Sequence, residues 1–316
     1  MPRPPASKRN NHATGNGDLK MQVDGPIGIV GLGLLGTALS ERLIGAKIPV
    51  IGFDIEPAKC KNLTVLGGLV GTSVREVGER ARAIVVAVYS GEQVEALFGE
   101  LNTIAGPASP IVCMTTCAPD EIARLAQRAA VLGIPFLEAP ISGTSAEVQA
   151  GTAIALVAGE AGVIDAAAAL LSMMCPRSIC VGKIGDASRS KLAINLILQS
   201  NRAALAEGIV FAECLGLDGR AFLKAARESA AYSRVMDGKG DKMLARDFQP
   251  QSHISQTLKD AELILKDAQR HDLQLPMTLT QAGLLRTAIA LAGPDSDSAA
   301  VIEAFQRRPN PTEGIR

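Results

Sequence analysis

Three glycines, Gly31, Gly33 and Gly36, stand in the order Gly-x-Gly-x-x-Gly, directly after the apolar run Ile27–Val30 and at the head of a helical pattern. Three glycines alone often mark no more than a turn; the strand before them and the helix after them give the spacing a specific meaning. Gly31 permits a tight turn, Gly33 lets the backbone approach a pyrophosphate, and Gly36 allows close packing of helix on strand. The helix N-terminus that follows, with Leu34 and Leu35, then faces the phosphates with its free N–H groups. Asp54 ends the second apolar run, 23 residues after Gly31. An acid about 20 residues after the first glycine accepts hydrogen bonds from adenosine ribose hydroxyls and repels a 2′-phosphate. Ile55 and Glu56 follow it, with no Arg to receive that phosphate, so the expected cofactor is NAD rather than NADP, although Lys59 and Lys61 lie close by.

A second constellation lies in the long helical run after Gly185. Lys191 and Asn195, at i and i+4, fall on one helix face one turn apart. Oxidising an alcohol requires removal of the hydroxyl proton as hydride leaves the carbon. A lysine whose pKa is lowered by desolvation can take that proton, and its ammonium returns it in the reverse direction. Asn195, with donor and acceptor groups, can orient the hydroxyl and hold the lysine.

The elements that position these groups follow from periodicity. Strands are predicted at Ile27–Val30, Val50–Phe53, Ala83–Val88, Ile111–Met114, Pro135–Leu137, Ala153–Val157 and Ile179–Val181, with helices such as Thr37–Ile44 and Asp120–Val131 between them. That alternation argues for a parallel sheet with right-handed crossovers. Beyond Val181 only helices are predicted: Ala187–Leu215, Gly219–Ser229, Thr257–His271, Met277–Ala290 and Ser298–Gln306. The fold class is thus an α/β Rossmann-type dinucleotide-binding domain (26–184) followed by an all-α domain (185–309), joined by a long helix. Residues 1–25, polar and without periodicity, read as a disordered extension, and 310–316 as a tail. Helices this apolar suggest a homodimer or homotetramer.

Composition excludes other classes. The chain of 316 residues has a net charge of zero, no Trp, two Tyr and seven Phe, so its core must be aliphatic and it carries no electrostatic footprint for nucleic acid or an anionic membrane. No run approaches the roughly 20 apolar residues of a membrane span, and the N-terminus lacks a secretion signal's apolar segment. Six cysteines, none in a Cys-x-x-Cys pair, with three histidines distant from them in sequence, suggest no metal site and buried free thiols in a reducing compartment, the cytoplasm.

Five segments in order resemble the β-hydroxyacid dehydrogenase family, which includes 3-hydroxyisobutyrate dehydrogenase, tartronate semialdehyde reductase and L-threonate dehydrogenase. These are Gly31–Gly36; Met114–Thr116, which matches the family's Ser-Thr beside the nicotinamide; Glu138-Ala-Pro-Ile-Ser-Gly-Thr144, similar to its substrate loop; Gly182–Asn195, similar to its catalytic helix; and Phe248–Pro250 with Lys259-Asp260. The resemblance spans about residues 26–308. It implies Lys191 as general acid/base with Asn195, and a substrate carboxylate held by Ser142, Gly143 and Thr144. It also implies cofactor contacts at Val88, Tyr89 and Thr116, a Lys259 that reaches back to the site, and a small hydroxy acid as substrate. Thr144 replaces the family's second glycine, Tyr89-Ser90-Gly91 replaces a Leu-Pro-like turn, and Ser233-Arg234 replaces Ser followed by an aromatic. Thr144 and Arg234 are therefore expected to meet polar or anionic parts of the substrate. Alternatives are a non-catalytic dinucleotide-binding member of the fold, which typically lacks the lysine, and a decarboxylating enzyme like 6-phosphogluconate dehydrogenase, which normally has a much larger helical half.

Overall fold

A computed structural model describes residues 25–101 and 110–305 of the chain. All of the expected N-terminal extension but Gly25, and the expected C-terminal tail, lie outside the described residues.

Nine strands form one sheet: β1 (Ile27–Val30), β2 (Val50–Phe53), β3 (Leu69–Val70), β4 (Ala83–Val86), β5 (Ile111–Cys113), β6 (Phe136–Glu138), β7 (Ile141–Ser142), β8 (Ile154–Ala158) and β9 (Arg177–Gly182). Helices α1 (Leu34–Gly45), α2 (Pro57–Val65), α3 (Val74–Arg80), α4 (Gly91–Leu101), α5 (Pro119–Val131), α6 (Ser145–Gln149) and α7 (Ala161–Met174) connect them. The order is β3-β2-β1-β4-β5-β6-β8-β7, with β9 on β8, and the first six strands in this order are parallel. β1 lies centrally, its Ile27 in register with Val50 on one side and Ala83 on the other. Side chains alternate between two cores, as the pleat requires. Ile27, Ile29, Val85 and Val112 pack with Leu39 and Leu43 of α1 and Leu170 and Leu171 of α7. Val30, Ile84, Val86 and Ile111 pack with Val77, Phe98, Ile122 and Leu125 of α3, α4 and α5.

The expected parallel sheet holds for its first six strands and becomes mixed at the far end, where β8 runs antiparallel to both β6 and β7. A parallel connection needs a crossover of a dozen or more residues. Only the five-residue α6 and short loops separate β7 from β8, whereas the 14-residue α7 returns the chain parallel as β9. The strand expected over Ala83–Val88 stops at Val86, because both backbone groups of Val88 turn to the Thr115 hydroxyl. The expectation of buried thiols holds for Cys113, Cys117 and Cys175; Cys60 is half-buried, and Cys180 on edge strand β9 and Cys214 near the end of the long helix are exposed.

After Gly182 the chain is helical: α8 (Asp186–Cys214), α9 (Gly219–Glu228), a π-turn (Met236–Gly240), α10 (Asp241–Ala245), α11 (Ile254–Arg270), α12 (Pro276–Ala292) and a 3₁₀ segment (Ser298–Phe305) where an α-helix was expected. Their shared core includes Leu205, Ile209, Leu223, Ile254, Leu285 and Val301. Among the described residues no helix is long and apolar enough to cross a membrane.

The two halves meet at the start of α8, whose first N–H groups need partners from outside the helix. Glu138, fully buried at the end of β6, supplies them: its Oε2 accepts from Gly185 N–H at 2.7 Å and its Oε1 from Ser188 N–H at 2.5 Å. Burial raises the Glu138 pKa, and these hydrogen bonds oppose the rise. Glu138→Ala leaves two buried donors unsatisfied, and each such group costs about 1–3 kcal/mol. We expect a loss of stability of at least about 1 kcal/mol in urea unfolding at neutral pH; an unchanged midpoint would show that water replaces the carboxylate.

Candidate active site

The glycine turn sits at the carboxyl end of β1. Gly31 has φ +92°, and a Cβ there would strike the Ala87 carbonyl; a Cβ on Gly36 would overlap the Gly31 carbonyl, so helix and turn touch backbone to backbone. Gly33 differs. A Cβ on it would meet nothing within 4 Å, so the space above the turn is open. Gly33 is also the N-cap of α1, with no side chain capping it and no acid in the first turn. The N–H groups beyond it, in the turn of Leu34 and Leu35, point at a cradle fit for a phosphate. Asp54 lies beside it: Oδ2 accepts from Leu32 N–H at 2.7 Å and Oδ1 from Glu56 N–H at 2.9 Å. One carboxylate thus braces the glycine turn against the end of β2. Lys59 pairs with Glu56 at 2.7 Å and is 4.0 Å from Asp54.

The loops after β4 and β5 are joined by Thr115, whose hydroxyl accepts from Val88 N–H and donates to Val88 O, both at 3.1 Å. Lys259, on α11, reaches across from the helical half. Its Nζ donates to Thr116 O at 2.9 Å and Tyr89 O at 3.1 Å, and lies 5.5 Å from the Tyr89 ring centre. Lys259 is therefore a strut between the halves, tied to Tyr89 and Thr116.

Beneath it runs a row of buried polar side chains on α8: Lys191, Asn195, Gln199 and Arg202. Asn195 Nδ2 donates to Asp260 Oδ2 at 2.8 Å, Gln199 Nε2 to Thr257 O at 3.1 Å, and Arg202 Nη1 to Thr257 Oγ1 at 3.3 Å. Asp260 Oδ1 is 3.2 Å from Lys259 Nζ yet makes no hydrogen bond. Lys191 is 7% exposed, and no hydrogen bond or ion pair to a described residue holds its Nζ. Its pKa is lowered to about 8, first by burial and then by the charges of Lys259 and Arg202; Asp260 and Glu147 oppose the shift. A buried amine with a lowered pKa, one helix turn from Asn195, can exchange a proton with a bound hydroxyl.

The 142–144 loop takes a different form from that expected. Ser142 pairs with Ile154 in the sheet and Gly143 has φ +151°. Thr144 is the N-cap of α6: its hydroxyl accepts from Glu147 N–H at 3.2 Å, while Glu147 Oε2 accepts from Thr144 N–H at 2.9 Å. This reciprocal capping box engages both groups that Thr144 was expected to offer a substrate. Glu147 Oε1 then pairs with Arg234 of the helical half at 2.9 Å. Sequence reasoning assigned no role to Glu138, Thr115, Glu147 or Asp260. Two signals were available: the Thr-x-x-Glu spacing of 144 and 147, and a polar row at i, i+4, i+8 and i+11 along the long helix.

Residues 26–182 match the family model described as the NAD binding domain of 6-phosphogluconate dehydrogenase, and residues 185–305 that described as NAD-binding of NADP-dependent 3-hydroxyisobutyrate dehydrogenase. Over 287 residues the chain is 30% identical to 2-hydroxy-3-oxopropionate reductase of Escherichia coli, covering 90% of this chain and 98% of the relative. It is 26% identical to L-threonate dehydrogenase of Cupriavidus necator, covering 88% and 95% of the two chains. The solved structure of Mycobacterium tuberculosis 3-hydroxyisobutyrate dehydrogenase with L-serine shares the fold, with a TM-score of 0.79 at 24% identity over 90% of this chain and 99% of that one.

The burial of Lys191 has a direct readout. Its ε-methylene, observed by lysine-selective NMR, should titrate near 8, well below the 10.5 of a free lysine. Asp260→Asn removes the largest opposing charge and should shift the titration to lower pH. A Lys191 that titrates with the surface lysines would overturn this account of the site.

Proposed function

The chain belongs to the β-hydroxyacid dehydrogenase family, and we propose that it is an NAD-preferring dehydrogenase of a small β-hydroxy acid with Lys191 as general acid/base. The observation that carries the reading is Lys191 itself: a buried amine on the α8 face it shares with Asn195, with no hydrogen bond or ion pair to a described residue, whose burial lowers its pKa to about 8. The substrate class is supported by the names of the relatives, which act on three- and four-carbon hydroxy acids or their oxidised forms.

Gly31, Gly33 and the N–H groups at Leu34 and Leu35 would hold the pyrophosphate, Gly36 would keep α1 close, and Asp54 would take the ribose hydroxyls. Val88, Tyr89 and Thr116, held by Thr115 and Lys259, would line the nicotinamide side. Bound there, the nicotinamide supplies the acceptor or donor of hydride. Ser142 and Gly143 would hold the substrate carboxylate. In oxidation the neutral amine of Lys191 takes the hydroxyl proton; in reduction its ammonium returns a proton to the carbonyl oxygen. Asn195, whose Nδ2 donates to Asp260, would accept from the Lys191 amine or ammonium with its amide oxygen. Exposed Ile197, Phe211, Leu215, Met277 and Leu279 support self-association as a homodimer or homotetramer. Cysteines without a Cys-x-x-Cys pair support the cytoplasm as its place.

The test is a panel of L-threonate, 3-hydroxyisobutyrate, D-glycerate, L-serine and 3-phenylserine with NAD and NADP, following reduced nicotinamide. Turnover by none of them, with cofactor bound, would favour a non-catalytic dinucleotide-binding protein. Lys191→Ala should lower kcat by about 10²–10⁴-fold while NAD affinity holds. Lys191→Arg should not rescue it, since a guanidinium stays protonated at neutral pH. Because the base form is needed, oxidation should accelerate as pH rises through about 8, and reduction should slow through the same value. Wild-type turnover in Lys191→Ala would refute the role.

The cofactor preference rests on Asp54. NAD should give the higher kcat/KM, and Asp54→Ala should narrow the gap while weakening the turn that Asp54 braces. A wild-type preference for NADP, as in the family whose model matches the helical half, would reject this assignment.

A further inference from the structure

Glu147 and Arg234 pair across the two halves of the molecule, directly after the 142–144 loop. Glu147 follows the 142–144 loop on α6, and its charge reaches Lys191, whose ammonium it favours. Arg234 approaches from the helical half. Its backbone is anchored because Val235 and Met236 are buried next to it, while its side chain remains 57% exposed. Among the described residues only its Nη2 is engaged, at 2.9 Å from Glu147 Oε1, which leaves most of the guanidinium fork without a partner among them. Exposed ion pairs of this kind contribute little to stability, and a second carboxylate can displace one readily. A guanidinium with an open fork, held beside the 142–144 loop through Glu147, is suited to bidentate capture of such a carboxylate. Glu147 plays two parts that can be separated. Its Oε2 closes the α6 capping box, a task that Gln performs as well, whereas its negative charge occupies Arg234.

We infer that Arg234 is a specificity-determining residue that binds a second carboxylate of the substrate, and that Glu147 is the internal carboxylate this group displaces. The substrate class favoured is therefore the hydroxy dicarboxylic acids. The inference rests on the hydroxy-acid dehydrogenase reading above and narrows its substrate. The Glu147–Arg234 pair bridges the two halves, and a dicarboxylic substrate exchanges that bridge for one through itself. A monocarboxylic acid leaves the bridge in place and gains nothing from Arg234.

The experiment compares the wild type, Arg234→Ala and Glu147→Gln with saturating NAD, using D-glycerate as monocarboxylic substrate and malate and tartrate as dicarboxylic ones. Calorimetry with malonate and acetate provides probes that need no turnover. Arg234→Ala should raise KM for malate or tartrate at least tenfold with kcat within twofold, and leave D-glycerate within twofold. Glu147→Gln should lower the dicarboxylate KM severalfold and tighten malonate binding, with acetate unchanged. Equal effects of Arg234→Ala on both classes would make the pair a structural strut and overturn the proposal. So would malonate binding no tighter than acetate in the wild type. If no hydroxy acid is turned over, the dehydrogenase reading fails, and the calorimetry still decides whether Arg234 binds a second carboxylate.

Discussion

A helix that begins inside a protein leaves N–H groups that water cannot reach, and α8 begins at the boundary between a sheet and a helical bundle. The buried carboxylate of Glu138 answers that constraint by accepting from Gly185 and Ser188. Because Glu138 closes β6, the direction of α8 is tied to the sheet and not only to the turn before it. Everything that α8 carries inherits this reference, including Lys191, which is one turn beyond the cap. The carboxylate is itself uncomfortable there, as its raised pKa shows, so the arrangement trades solvation of one acid for the placement of a helix.

The polar row on α8 creates a second problem of the same kind, since buried amides and cations must find partners. Asn195 and Gln199 find theirs on α11 and α12, through Asp260, Thr257 and Gln281. Lys239 finds Asp297 at 2.7 Å, and that acid also accepts from the N–H groups of Gln251 and Ser252. Gln251 O in turn accepts from Ser145 at the head of α6. A buried pair of this sort is weak as a source of stability, but it holds one geometry. Here that geometry connects the helical core to the loop beside the site. Lys191 is the exception in the row. Among the described residues nothing pairs with its Nζ, which is costly to the fold and useful to a proton transfer, because burial then lowers its pKa.

The departures from the family pattern acquire physical meaning only in three dimensions. Thr144, read as an added hydroxyl near a substrate, is an N-cap whose partner Glu147 is supplied by the same short helix. Tyr89, read as an unusual turn, offers its carbonyl and ring to Lys259. Arg234 meets the acid that caps Thr144. Tyr89 and Arg234, far apart in the chain, therefore make contacts between the halves, and Thr144 stands behind one of them through Glu147.

The local chain determined much of this protein. The glycine spacing places a phosphate cradle at the end of β1, alternation places the central strands, and helical periodicity places α8 with Lys191 and Asn195 on one face. These features depend on steric limits and on repeats of two and 3.6 residues, which neighbouring residues express without help. The short strands β3 and β7 were not legible, because two residues carry no periodicity, and the reversal of β8 followed from the length of its connections. The tertiary structure alone decided which side chains would be buried together. It gave Glu138 the start of α8, Asp260 the amide of Asn195, and Lys259 the two loops from the opposite half. A charge acquires its pKa and its partners from what surrounds it in space, and residues 47 to 170 positions apart in the chain form those surroundings here.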